Sequence, residues 1–274
     1  MLYGNLMRLL KRTIHSLLKK LGYRLVKISG KKARSVVVAK DDEDTPSNIN
    51  VFVMEFMGPT GVGKTTLVER IKNQTAAEWY YRENLSSLTP TERDGVLSGG
   101  LHWEILFDRF LRLDGRNLDG YLKTKMMRYL AQVMLHDLHL QNGVPDKGFL
   151  LDEGICHNFS KELNALPENE FNKIMAGRAL VYLAPKNPST VVKRIRERAQ
   201  NSGKMVSHQK GLSDDELCLM AELQMNQFKM LISRARAIGI PVCTVYAEDD
   251  FDRNAETILG FEKTLSRSQN VRIT

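Results

Sequence analysis

What this sequence has little of narrows the reading before any motif does. Three cysteines in 274 residues, Cys156, Cys218 and Cys243, are odd in number and show no Cys-x-x-Cys spacing. That argues against a disulfide framework and a cysteine-held zinc site, and suits a reducing compartment such as the cytoplasm. No apolar run approaches the roughly 18 residues of a membrane-spanning helix, and no secretory leader pattern is present, so the chain is not expected to cross a membrane. Residues 1–40 lack Asp and Glu entirely while holding eleven of the 40 Lys and Arg. The net charge of +8 belongs to that segment, because the rest of the chain carries 29 basic against 32 acidic side chains, and nucleic acid is not the expected ligand of the remainder. His136 and His139 stand three apart with no third ligand in the sequence around them, so a histidine metal centre is not expected either.

Within residues 1–40, Leu6, Leu9, Leu10, Ile14, Leu17, Leu18, Leu21 and Leu25 recur at helical spacing, with Arg8, Lys11, Arg12, Lys19 and Lys20 largely on the other side. The pattern predicts a basic amphipathic helix. Such a helix suits an anionic membrane surface, where each basic residue contributes about 1 kcal/mol; it equally suits packing on the rest of the chain or on a partner protein. Asp41-Asp42-Glu43-Asp44 followed by Thr45-Pro46-Ser47 reads as a solvated linker. The expected organisation is a basic segment over 1–40, an acidic linker over 41–49 and a folded domain over 50–274.

From residue 50 onward short apolar runs alternate with longer periodic stretches. Candidate strands are Val51–Met57, Trp79–Arg82, Gly148–Asp152, Ala179–Leu183 and Pro241–Tyr246. Helical patterns cover Lys64–Gln74, Asp119–His139, Thr190–Ala199, Asp214–Ile238 and Asp252–Leu265. The alternation predicts an α/β fold of three layers, with a parallel five-stranded sheet covered by helices on both faces. His102, Trp103 and Phe107 open a further helical stretch that suits either the wall of a pocket or the core.

The first strand runs into Gly58-Pro-Thr-Gly61-Val62-Gly63-Lys64-Thr65-Thr66, which satisfies Gly-x4-Gly-Lys-Thr and opens a helix. This is the phosphate-binding P-loop pattern in the context its mechanism requires. Its glycines let backbone N–H groups converge on a phosphate, and the helix N-terminus adds positive potential. Lys64 is placed to reach the β- and γ-phosphates of ATP, and Thr65 to ligate Mg2+. The partner element in such folds is an acid ending a second buried strand, and Gly148-Phe-Leu-Leu-Asp152-Glu153 fits. Asp152 and Glu153 are the candidate Mg2+ carboxylates, Glu153 also being placed to orient a nucleophile.

An Asn-Lys-x-Asp guanine-reading motif is absent. Three segments instead resemble the nucleoside and nucleotide kinases, in their thymidylate kinase-like and deoxynucleoside kinase-like branch. Tyr81-Arg82-Glu83-Asn84 is similar to the Arg-Glu-Pro that ends the second strand there; Asp152-Glu153-Gly154 is similar to that family's Asp-Arg step; and Arg194-Ile-Arg-Glu-Arg198 resembles the Arg-Ile-x-x-Arg of the lid. The resemblance implies that Glu83 acts near the acceptor hydroxyl and that Arg194 and Arg198, one helical turn apart, serve the transferring phosphoryl group. Asn84 and Glu153 depart from the family pattern, and a carboxylate at Glu153 would repel a monophosphate acceptor.

The expectation is an ATP- and Mg2+-dependent phosphotransferase acting on a small hydroxyl-bearing or nucleotide acceptor, including a sugar or glycan end. Its place would be cytoplasmic, held peripherally at the inner membrane face by residues 1–40. The other reading left open is a nucleotide-switched regulatory ATPase whose N-terminal helix binds a partner.

Overall fold

The computed structural model describes residues 53–72, 74, 79–81, 100–114, 119–142, 148–203 and 209–270. The amphipathic segment 1–40, the linker 41–49 and Glu83 lie outside the described residues. Five strands form one parallel sheet: β1 (Val53–Met57), β2 (Trp79–Tyr81), β3 (Gly148–Leu151), β4 (Arg178–Ala184) and β5 (Val242–Tyr246). Their order is β2-β3-β1-β4-β5. In register, Val53 faces Phe149 on one side and Arg178 on the other, and Leu180 faces Val242.

Every residue of β1 and β4 is buried, as expected of central parallel strands whose two faces are both covered. Met54, Phe56, Val181, Leu183, Cys243 and Val245 pack with Leu67 and Ile71 of α1 (Lys64–Lys72) and Ile258 of α9 (Phe251–Asn270). Met57, Leu180, Tyr182 and Ala184 pack against α2 (Gly100–Asp114), α3 (Gly120–Asn142) and α8 (Asp214–Ala237) through Leu106, Leu130, Met134, Phe228, Leu231 and Ile232. The expected three layers are present. α7 (Pro188–Ser202) lies against α8 through Val191, Val192, Ile195, Leu217 and Ala221.

The helix ends follow local chemistry. Asn187 caps α7 by accepting from the Thr190 N–H, Pro188 opens its first turn, and Gly203 closes it with φ 64°; this is why α7 runs past both ends of the expected Thr190–Ala199. Ser213 and Glu216 form a reciprocal capping box at the start of α8. Between β3 and β4 the structure has three short helices that periodicity did not reveal, α4 (Ile155–Asn158), α5 (Ser160–Ala165) and α6 (Glu168–Met175). They bury Ile155, Phe159, Leu163 and Phe171, but breaks at Phe159 and Leu166-Pro167 leave no stretch long enough to show a helical period. Strand β4 also begins one residue earlier than expected, at Arg178, and that residue is wholly buried.

All strands being parallel, β1, β3, β4 and β5 present their carboxyl ends at one edge of the sheet. The chain fills in β2 and β3 on one side of β1 and then β4 and β5 on the other, so β1 ends at the switch point where open α/β sheets hold their ligands.

Candidate phosphate-binding and transfer site

The segment between β1 and α1 is held in a tight loop by close packing. A Cβ on Gly58 would lie 2.5 Å from the Leu183 carbonyl oxygen of β4, and Gly61 and Gly63 adopt φ of 91° and 106°, which favour glycine. Val62 is fully buried in the core shared by α1 and α9. The loop closes on itself through Val62 N–H to Pro59 O at 3.2 Å. The Thr60 N–H donates to Gln224 Oε1 of α8 at 3.4 Å. The first-turn N–H groups of α1 have no partners within the helix, so the loop presents donors and positive potential to one spot.

Lys64 is 4% exposed. Its Nζ donates to the Gly58 and Pro59 carbonyls at 3.0 and 3.3 Å and stands 3.6 Å from Glu153 Oε1. Burial pulls the ammonium below its ordinary pKa, with Glu153 and then Asp152 pulling the other way and losing. The cation is thus incompletely neutralised by the protein. Beside it, Thr65 Oγ1 donates to Asp152 Oδ2 at 3.2 Å. This brings together a hydroxyl and a carboxylate, both hard oxygen ligands of the kind Mg2+ takes. Among the described residues no group of three or more His, Cys, Asp or Glu gathers as a metal site, so a cation here would complete its shell from water and phosphate oxygens. Thr66 is exposed on the first turn of α1.

Glu153 is a meeting point. It accepts from Tyr129 Oη of α3 at 3.0 Å and lies 3.5 Å from His157 Nε2 in addition to its Lys64 contact. The His157 ring stacks on Phe228 of α8 at 5.5 Å. Arg194 and Arg198 of α7, expected to serve as lid arginines, have different partners. Arg194 donates to the Val62 and Ala247 carbonyls and lies 5.7 Å from the Phe251 ring centre, so it clamps the phosphate loop to the β5–α9 turn. Arg198 hydrogen-bonds Gln209 Oε1 at 3.4 Å, and its charge is felt at Lys64. Arg196 instead joins α7 to the start of α8, pairing with Asp214 at 2.8 Å.

With this geometry in place, the chain can be set beside known proteins. No family model matches it, and no curated protein does. Among solved structures it is similar to a deoxyadenosine kinase from M. mycoides with dCMP and dCDP bound, at 14% identity and TM-score 0.44, over 77% of this chain and 99% of that one. It is also similar to a gluconokinase from Sinorhizobium meliloti 1021, at 11% identity and TM-score 0.40, over 82% of this chain and 99% of that one. Likeness of this strength transfers neither enzyme's substrate, and the functional reading rests on this chain's own residues.

Beneath the site lies a charged network that sequence patterns did not reveal. Glu55, in the middle of β1 and fully buried, accepts from the Gly154 and His157 N–H groups at 3.1 and 2.8 Å. A Cβ on Gly154 would come within 2.6 Å of the Glu55 carboxyl carbon; only glycine lets the turn that follows Asp152 and Glu153 rest on it. Arg178 lies 3.7 Å from Glu55, donates to Ile174 O at 2.8 Å and to Asp137, and Asp137 in turn meets His102 Nε2 at 2.8 Å. Burial raises the Glu55 pKa, and Arg178 only partly offsets it. For Asp137 burial acts the same way, but Arg178 and His102 outweigh it and hold the carboxyl below its ordinary value. His102 therefore belongs to this interior network, with 3% of its surface exposed. The available signal was a charge inside an apolar run, Val-Met-Glu55-Phe-Met and Arg178-Ala-Leu-Val.

Proposed function

We propose that this chain is an ATP-dependent phosphotransferase that moves the γ-phosphate to the hydroxyl of a small acceptor. The observation that supports it most is the convergence of a buried, under-neutralised Lys64 with the Thr65–Asp152 pair and Glu153 at the carboxyl ends of β1 and β3. Lys64 and the N-terminus of α1 bind the β- and γ-phosphates. Thr65 and Asp152 would hold Mg2+, which when bound supplies neutralising charge across those phosphates. Glu153, oriented by Tyr129, is placed to align an acceptor hydroxyl, and its negative charge favours a neutral acceptor such as a nucleoside, a sugar or a glycan end over a monophosphate. Arg198 reaches the phosphates from the lid while Arg194 fixes the lid's seat. Glu83 stays assigned to the acceptor hydroxyl through the family resemblance. Residues 1–40 place the enzyme at an anionic membrane surface on the cytoplasmic side, and vesicles of acidic phospholipid should bind the full chain but not one starting at Thr45.

The test is the fate of γ-labelled ATP incubated with the full chain and a pool of nucleosides, nucleotides, sugars and membrane glycolipids. Label on an organic acceptor, absent with Lys64→Ala, is the expected result. Label released only as inorganic phosphate would replace the transferase with a regulatory ATPase in which Glu153 polarises water.

A further inference from the structure

A second cavity, of about 550 Å3, opens on the other side of the sheet's centre, between α8 and the ends of β4 and β5. No residue of the 58–66 loop and neither Asp152 nor Glu153 lines it. Its size is that of a small-molecule site. Its polar lining is made of donors: Lys186 just after β4, Lys229, Ser233 and Arg236 from α8, and Thr244 from β5. Among the described residues no Asp or Glu lines it.

The state of these groups shows what they would accept. Arg236 Nη2 donates to Thr244 Oγ1 at 2.9 Å, leaving that hydroxyl's own proton to point elsewhere. Neither Arg236 nor Lys229 has a carboxylate within ion-pair distance among the described residues. Lys186 is the one lining cation that does, pairing with Asp249 at 3.0 Å at the exposed rim.

We infer that this cavity is a binding site for a small phosphomonoester, distinct from the phosphate loop. Lys229 and Arg236 neutralise its phosphate, the Ser233 and Thr244 hydroxyls donate to the phosphate oxygens, and the organic body rests on the apolar wall of Ile232, Pro185 and Tyr182. Donors alone, two of them unneutralised cations, select an oxyanion. A volume several times that of a phosphate group selects one with a body attached. The same helix carries Gln224 against Thr60 of the phosphate loop, so a ligand seated on α8 lies one helix away from the nucleotide site.

Calorimetric titration of the full chain with ribose 5-phosphate, in the Lys64→Ala background to disable the phosphate loop, tests this. Binding should persist in that background and weaken at least about tenfold when Lys229→Ala and Arg236→Ala are added, the loss of one or more charge-assisted hydrogen bonds. Inorganic phosphate should bind more weakly than the ester. Loss of binding with Lys64→Ala alone, or unchanged binding after the Lys229 and Arg236 substitutions, would overturn the site. Equal binding of inorganic phosphate would overturn the ester assignment.

Discussion

Lys64 and Arg178 are both cations almost sealed from solvent, 4% and 0% exposed, at opposite ends of the same central part of the sheet. They are treated in opposite ways. Lys64, at the carboxyl end of β1, has two carbonyls and one carboxylate no closer than 3.6 Å, and burial lowers its pKa. Arg178, at the start of β4, has Asp137 in direct contact, Glu55 at 3.7 Å and the Ile174 carbonyl; these outweigh burial and raise its pKa. The difference separates a buried charge that the protein matches from one that it leaves under-matched. The cation matched in charge serves the fold; the under-matched one is the proposed seat of an anion.

The largest expected break is on the structural side. Arg178→Met leaves Asp137 and Glu55 buried without their counter-charge and should lower unfolding free energy by about 3–5 kcal/mol, read as a urea midpoint shift with unchanged slope. Adding Asp137→Leu should recover part of the loss, since the pair is coupled. On the functional side, Lys64→Ala should lower the transfer rate by about 100- to 1000-fold, the scale for losing a preorganised electrostatic group. Its urea midpoint should not fall, because the removed charge is one that burial disfavours.

Between the two lies the Glu55–Gly154 contact, which joins the network to the site. Gly154→Ala should destabilise by about 1–3 kcal/mol through overpacking and lower the transfer rate further than that loss of folded protein explains, because the Asp152–Glu153 turn must shift. A smaller effect concerns acid. The Asp137 carboxyl is held below its ordinary value, so its contribution is present above the unfolded-state pKa and is lost as pH falls through the folded one. Asp137→Asn should therefore be less stable at pH 7 and show a shallower loss between about pH 4 and pH 2.

The same contrast explains what the sequence revealed. Lys64, Thr65 and Asp152 were legible because their chemistry is local: a glycine spacing between strand and helix, and an acid ending an apolar run. Strands β1, β3 and β4 were legible because burial on both faces leaves apolar runs, with Glu55 the one charge inside that of β1. Tyr129, His157, Glu55 and Arg178 come to the site from four separate elements, and no short-range pattern joins a tyrosine on α3 to a carboxylate after β3. Arg194 and Arg198 were legible as a pair one helical turn apart, but their separate partners were not; Arg194 finds carbonyl partners on two other segments. The cavity beside α8 was invisible for the same reason, its donors being spread over 60 residues of sequence.

The most direct test of the contrast is to measure ATP affinity and melting temperature on one preparation of Lys64→Met. An ATP dissociation constant raised at least about tenfold, the loss of one strong charge-assisted contact, with a melting temperature level with or above that of the unsubstituted chain, is the predicted result. Unchanged ATP affinity, or a melting temperature that collapses as that of Arg178→Met should, would contradict the account of Lys64 as a cation held ready for phosphate.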